Sequence, residues 1–272
     1  MAAVLGIDAA WTEKNPSGFA LIEKFGPAWR LRAAAPNIEE FASLCGLTVP
    51  GDGAAGFGLD CAERMLAGSL PDLVAVDMPL SLERIERRRK SDKAVSRAFG
   101  AAQCATHSPS KDRPGAVSAD LLTRCRAKGY TLITSQPAAG VRSLAEVYPH
   151  PALLGLLNVR KRFPYKISKT TTYWKKTESE RRLTNVKDSL RTIVRSLEGR
   201  ISGVADRIGD GIEKEYSFSA LKPVEDMIDA IVSAWVGITI LEGVAKPFGD
   251  ENSAIWIPLA AMHAAAQTEA GQ

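Results

Sequence analysis

Asp8, Asp77, Asp226 and Asp229 are the side chains whose setting points most directly to chemistry. Asp8 closes the apolar run 3–8 (AVLGID), which reads as a buried strand delivering a carboxylate at its C-terminal end. A buried acid is costly unless it is paired or bound to metal; the plainer account is a carboxylate capping the turn that follows. Asp77 repeats the arrangement at the end of residues 72–77 (DLVAVD), where Met78-Pro79 stops the strand. Two strands that each end in Asp place both acids at one sheet edge, where ligands of α/β sheets gather. Like charges there repel, so a cation belongs between them. Mg²⁺ or Mn²⁺ is the expected cofactor, since Mg²⁺ prefers a few carboxylate oxygens plus waters.

The segment Glu225-Asp226-Met227-Ile228-Asp229-Ala230 supplies a third group of acids. Asp226 and Asp229 are spaced i, i+3 and share one helical face, and Glu225 lies i, i+4 from Asp229. Acids at a helix start are also favoured by the helix dipole. That accounts for Glu225 and Asp226 but poorly for Asp229, which lies within the apolar stretch. Acids from two strands and one helix are the raw material of a two-metal phosphoryl site, in which paired ions activate a water and stabilise the leaving oxygen. Asp8, Asp77, Asp226 and Asp229 are the expected metal ligands.

Glu146 and His150 flank the end of a further strand, 143–148 (SLAEVY). Glu146 reads as an additional ligand or an acceptor behind the metal, and His150 as a proton shuttle. The alternatives are an arginine partner for Glu146 and loop packing for His150. His107, in Thr106-His107-Ser108-Pro109, has a similar but less specific standing.

The elements that must position these groups follow from pattern. Residues 18–24 and 29–34 are two more strands separated by Gly26-Pro27, so the first three strands form an antiparallel meander. Helical spacing occurs over 38–45, 59–66, 119–128 and 179–197, and 81–100 is charged and helix-compatible. Residues 158–176 read as an irregular, lid-like insertion. The clearest helix runs over 223–241, with Pro223 at its first position, and 253–258 is a last short strand. The expected fold class is α/β: a mixed sheet, antiparallel meander then parallel strands, with helices on both faces and helical or loop insertions. A single domain over 1–260 is expected, with basic insertions near 83–128 and 158–200 and a tail over 261–272.

The chain has 272 residues, 45% of them hydrophobic and 24% charged, which is globular usage that supports a sizeable core. Its net charge of +4 is uneven: residues 83–113 carry +5 and residues 158–182 carry +7, leaving the remainder at −8. Two basic segments on an acidic body suit a polyanionic partner; the alternative is a pair of solvated faces. Arg87, Arg88, Arg89 and Lys90 could grip phosphates, as could Arg160, Lys161, Arg162, Lys175 and Lys176. Phe163, Tyr165, Tyr173 and Trp174 interleave with them, a mixture suited to single-stranded or distorted nucleic acid. Cys45, Cys61, Cys104 and Cys125 form no CxxC pair and lack a histidine at ligand spacing, so zinc is not expected and free thiols in a reducing compartment fit best. The first residues, MAAVLGIDAAW, lack the basic start of a signal peptide, and no run of about 18 apolar residues occurs. A cytoplasmic protein off the membrane is the expectation.

Gly6-Ile7-Asp8, Val76-Asp77-Met78-Pro79, Glu146-Val147-Tyr148-Pro149-His150-Pro151 and Asp226-x-x-Asp229-Ala230 together resemble the domain of unknown function 429 family, described as predicted RNase H-like nucleases. The likeness extends to Trp256-Ile257-Pro258 and implies a ribonuclease H-like fold and a metal-dependent nuclease. The layout is also similar to that of Holliday-junction resolvases, with Asp on the first strand, an acid on the fourth and D-x-x-D on the last helix. Asp8, Asp77, Asp226 and Asp229 match those positions in turn. Resolvases end the fourth strand in Glu, and the shorter Asp77 alters the reach to a metal. They act as dimers, so the resemblance also raises a homodimer.

Two other classes compete. A non-catalytic nucleic-acid-binding module would keep the fold and lack the metal. An ATP-binding protein of the actin or sugar-kinase kind would need Gly-rich phosphate loops and a second domain; Gly51-Asp52-Gly53 follows no apolar strand.

Overall fold

The computed structural model describes residues 2–12, 15–49 and 57–269; Gly51, Asp52 and Gly53 lie outside the described residues. The chain opens with the expected meander, β1 (Ala3–Asp8), β2 (Gly18–Phe25) and β3 (Ala28–Ala35), followed by helices α1 (Ile38–Ser43) and α2 (Phe57–Met65). Strand β4 (Leu73–Val76) leads to α3 (Lys90–Phe99) and α4 (Ala116–Ala127), then to β5 (Thr131–Leu132) and β6 (Ser143–Val147). Helices α5 (Pro149–Leu157), α6 (Thr170–Tyr173) and α7 (Ser179–Glu198) precede β7 (Ile201–Ser202) and α8 (Val204–Lys214). The long helix α9 (Phe218–Leu241) is followed by β8 (Ala245–Gly249), β9 (Ala254–Pro258) and α10 (Leu259–Glu269).

The strands form one mixed sheet in the order β7-β3-β2-β1-β4-β6-β9-β8, with β5 beside β6. Strands β1, β2 and β3 pair antiparallel, whereas β1, β4, β6 and β9 run parallel. The alternation of side chains along each strand divides the core into two layers. Val4, Ala20, Ile22, Leu73, Ala75, Ala145 and Val147 pack in the layer that holds α5, α7, α8 and α9. Leu5, Ile7, Phe19, Leu21, Val74, Val76 and Leu144 pack in the layer that holds α1, α2 and α4. Both faces of the sheet are therefore covered by helices.

Helix α9 is apolar on all sides and buried at every position from 228 to 240, as befits a helix at the centre of a domain rather than on its surface. It lies close over β1 because glycines remove side chains from its path. A Cβ on Gly6 would stand 2.2 Å from the Ala230 carbonyl oxygen, and one on Gly18 would stand 2.4 Å from that of Asp226.

Two expectations about boundaries are corrected. Helix α9 begins at Phe218, with Ser217 Oγ accepting from the Ala220 N–H, and Pro223 lies inside it. Proline is often the first residue of a helix, but the serine cap a turn and a half earlier sets this start. Residues 81–89 are not helical, and α3 starts only at Lys90. Of the segment expected to be a tail, residues 261–269 belong to α10, whose Ala261 and Ala264 are buried in one cluster with Leu154 of α5. Cys45, Cys61, Cys104 and Cys125 are all free, and burial pushes the last three thiols up to about 12. No helix among the described residues is long and apolar enough to cross a membrane.

Candidate metal centre

The face alternation that packs Val4 and Gly6 against α9 puts Asp8, two residues further, on the same side of the sheet. Gly18 pairs with Asp8 across the β1–β2 ladder, so α9 passes directly over this strand end. Asp226 and Asp229 sit on the overlying turn. One carboxylate oxygen from each of Asp8, Asp226 and Asp229 lies within 4.8 Å of the other two. Asp77 is one residue beyond the Ile7–Val76 pair, and its N–H donates to the Ile7 carbonyl at 2.9 Å, so it ends the strand next to Asp8. It adjoins the three-acid group without belonging to it.

A strap between α5 and α6 closes over the acids. Tyr165 is fully buried, and its hydroxyl donates to Asp229 Oδ1 at 2.6 Å. Lys166 Nζ pairs with Asp229 Oδ2 and lies 3.4 Å from Glu225 Oε1. The Ile167 N–H donates to Glu225 Oε2 at 2.6 Å. On α9 itself Lys222 pairs with Asp226 and, at 3.2 Å, with Glu225. The dipole account of Glu225 and Asp226 fails on this geometry: both are buried two turns into α9, beyond the first turn over which the dipole acts.

Electrostatics at the centre are dominated by burial. Burial, then Asp229, pushes Asp8 well above the carboxylate range, with Lys166 pulling it back only in part. Burial raises Asp229 against the opposing pull of Lys166, and raises Asp226 against that of Lys222. Asp77 is pushed up to about 7, again by burial, which Lys166 opposes. Burial works against the Lys166 charge, yet Asp229 and its neighbours hold the ammonium well above its usual range. Five acids (Asp8, Asp77, Glu225, Asp226 and Asp229) thus face two ammonium groups. An all-oxygen, negatively charged donor set of this kind fits a hard divalent cation.

The family model for a protein of unknown function (DUF429) matches residues 6–254. The chain belongs to the DUF429 family. No curated protein matches it. In this DUF429 chain the matched range begins at Gly6, the contact with α9, and takes in every acid of the centre.

Other expected site residues of this DUF429 protein fall elsewhere. Glu146 alternates with Ala145 and Val147 and so shares the opposite face with Leu144. Its oxygens are taken by Arg89, at 2.6 and 2.7 Å, and by the Leu80 N–H at 2.8 Å. Arg89 completes the cluster with Asp92, at 2.8 and 3.0 Å, and is buried. That burial corrects its assignment as a phosphate contact: its guanidinium neutralises two buried acids. Arg88 is tied to Ser108, Ser96 and the Asp92 carbonyl. Arg87, Lys90, Arg160, Lys161, Lys175 and Lys176 are exposed, and Lys90 pairs with Asp250 at 3.2 Å. Tyr165, expected as a stacking ring, is instead a buried donor to Asp229.

His150 is buried, and its Nε2 faces the Arg162 guanidinium. Arginine can only donate, so Nε2 accepts and the ring proton resides on Nδ1. Burial first, then Arg162 and Lys166, keeps the ring neutral. A cavity of about 190 Å³ adjoins the acids, with His150, Asp77 and Lys166 among its walls. A larger one, about 310 Å³, is lined by Leu31, Arg32, Ala33, Leu44, Met65 and Arg207 and contains no acid.

Lys166, Lys222 and Trp11, which also lines the smaller cavity, carry no warning in the sequence. Lys166 counts there as one more charge of a basic segment. The only signal that could have found it is the surplus of acids, which demands buried cations.

Proposed function

We propose that this DUF429 protein is a metal-dependent nuclease on a ribonuclease H-like fold, hydrolysing phosphodiester bonds of nucleic acid with Mg²⁺ or Mn²⁺. The observation that carries the reading is the convergence of Asp8, Asp226 and Asp229 within 4.8 Å at the carboxyl edge of parallel strands. The antiparallel β1–β2–β3 meander continued by parallel β4 and β6 supports the fold assignment. Asp8, Asp226 and Asp229 would hold the metal, with Asp77 contributing from the neighbouring strand. Such ions, when bound, polarise a phosphoryl oxygen and make a bound water acidic.

The chain's own residues do the rest. Tyr165 fixes the Asp229 carboxylate by its hydrogen bond, and Lys222 fixes that of Asp226. Lys166 supplies a positive charge at the edge of the cavity, where the charge of a phosphodiester is best compensated. Arg87, Lys161, Lys175 and Lys176, exposed on the basic segments, bind phosphates further along the strand.

The test is cleavage of a panel of single-stranded and duplex DNA and RNA with Mg²⁺ or Mn²⁺. Asp8→Asn and Asp229→Asn are each expected to lower the rate at least about 100-fold. Undiminished cleavage by both variants would sink the reading. One observation favours a second reading, a non-catalytic nucleic-acid-binding protein: Lys166 already pairs with Asp229, so the acids own a resident cation. That reading prevails if calorimetry finds no Mg²⁺ or Mn²⁺ binding to wild type or to Lys166→Met while wild type still binds nucleic acid.

A further inference from the structure

The cavity beside the acids has walls that the metal centre does not explain. Trp11 and His107 meet edge to face, with ring centroids 6.4 Å apart and planes at 87°. Tyr148 and His150 form a second perpendicular pair at 5.5 Å. All four rings line the cavity, and Asp77 and Lys166 join it to the metal centre. Its volume of about 190 Å³ is below the roughly 300–1,000 Å³ typical of drug-sized ligands, so one flat ring system fits and a base pair does not. Trp11 is partly exposed and His107 is exposed, so the entrance is aromatic. The polar inventory is selective. Asp92 and Glu146 are neutralised by Arg89, which leaves Asp77 as the acceptor on this wall. His150 contributes ring surface and no free donor: its Nε2 is engaged by Arg162, and its Nδ1, without a hydrogen-bond partner among the described residues, is buried out of reach of a ligand.

We infer that this cavity is a subsite for one unpaired nucleobase, seated against Trp11 and His107 while the attached phosphate lies at the carboxylates. The inference rests on the nuclease reading and deepens it: the substrate is a strand whose base is out of a duplex at the cut. Stacking on Trp11 supplies affinity with little sequence preference, because every base has a π face. Asp77 accepts from an amino group or ring N–H of the base. A duplex held in its stacked form presents no base to the cavity.

The probes are nucleoside 5′-monophosphates and ribose 5-phosphate, titrated by calorimetry into the full chain with and without Mn²⁺. Wild type is expected to bind the nucleotides about tenfold or more tightly than ribose 5-phosphate. Trp11→Ala should abolish that preference and Trp11→Phe should keep it, with thermal melts showing that both variants fold. Equal affinity for ribose 5-phosphate, or a preference that survives Trp11→Ala, overturns the subsite. Base preference lost in Trp11→Ala but without metal-dependent cleavage supports the subsite and overturns the nuclease reading. Cleavage lost in Asp8→Asn without any base preference overturns the subsite alone.

Discussion

Asp77 and Glu146 show how much one residue of register decides. Asp77 directly follows β4, Glu146 is the penultimate residue of the neighbouring β6, and Val76 is the residue paired with Glu146. Asp77, one step further along, falls on the face of α9, whereas Glu146 falls on the other face and is claimed by Arg89. Asp77 has no ion pair among the described residues; burial pushes it up to about 7, from a value near 3.9 in an unfolded chain. Between those values the folded state keeps a proton that the unfolded state releases, so this group's contribution to stability falls as pH rises from about 4 to 7. Asp77→Asn removes that penalty. In metal-free buffer its melting temperature should match wild type near pH 4 and exceed it at pH 8, a difference on the order of 2–4 kcal/mol after allowance for partial exposure. Melting curves over that range are the measurement, and a gap that does not change with pH would show that Asp77 is solvated.

Among the elements, α9 decides the site, and its distance from β1 is set by glycine. A methyl on Gly6 would meet backbone atoms of Ala230 and Ala234 at 2.2 and 2.5 Å, and backbone cannot swing aside. Gly6→Ala should therefore displace α9, costing about 1–3 kcal/mol, and weaken Mn²⁺ binding by parting Asp8 from Asp226 and Asp229. Gly209→Ala in α8 is the control: nothing lies within 4 Å of its Cβ, so it should be neutral or stabilising by about 0.5–1 kcal/mol. Urea denaturation and calorimetry separate the two effects; Mn²⁺ affinity unchanged in Gly6→Ala would mean that the acids do not share an ion. Pro223 is a strong local signal for a helix start and Ser217 a weak one, so local pattern places the start of α9 later than the structure does. Elements as short as β5 and β7, two residues each, have no period to detect.

At the scale of the molecule, the sheet gathers acids at one edge, one of the two basic segments lends Lys166 to them, and the whole chain still carries net +4. These segments are not uniform. Arg89 lies within a buried ion cluster, and Lys175 and Lys176 are exposed. Replacing both lysines by glutamine should weaken nucleic-acid binding and reduce the slope of log K against log salt by up to about two. Arg89→Gln should instead destabilise the fold by about 3–5 kcal/mol, because it strands Glu146 and Asp92 in the interior. Filter binding across a salt series, beside thermal melts, tests the contrast. An unaltered salt slope in the double variant would remove Lys175 and Lys176 from the interface.

The sequence alone determined the meander, the two strands ending in Asp, the helix carrying Asp226 and Asp229, and the family. All of these rest on local information: hydrophobic period, chain-breaking residues and short motifs. The tertiary structure decided which acids meet and which cation meets them. Asp8 joins Asp226 and Asp229 because two glycines let a helix more than 200 residues away pack onto its strand. Lys166 became part of the centre, and Arg89 ceased to be a surface charge, because burial forces opposite charges together over distances that no local pattern records.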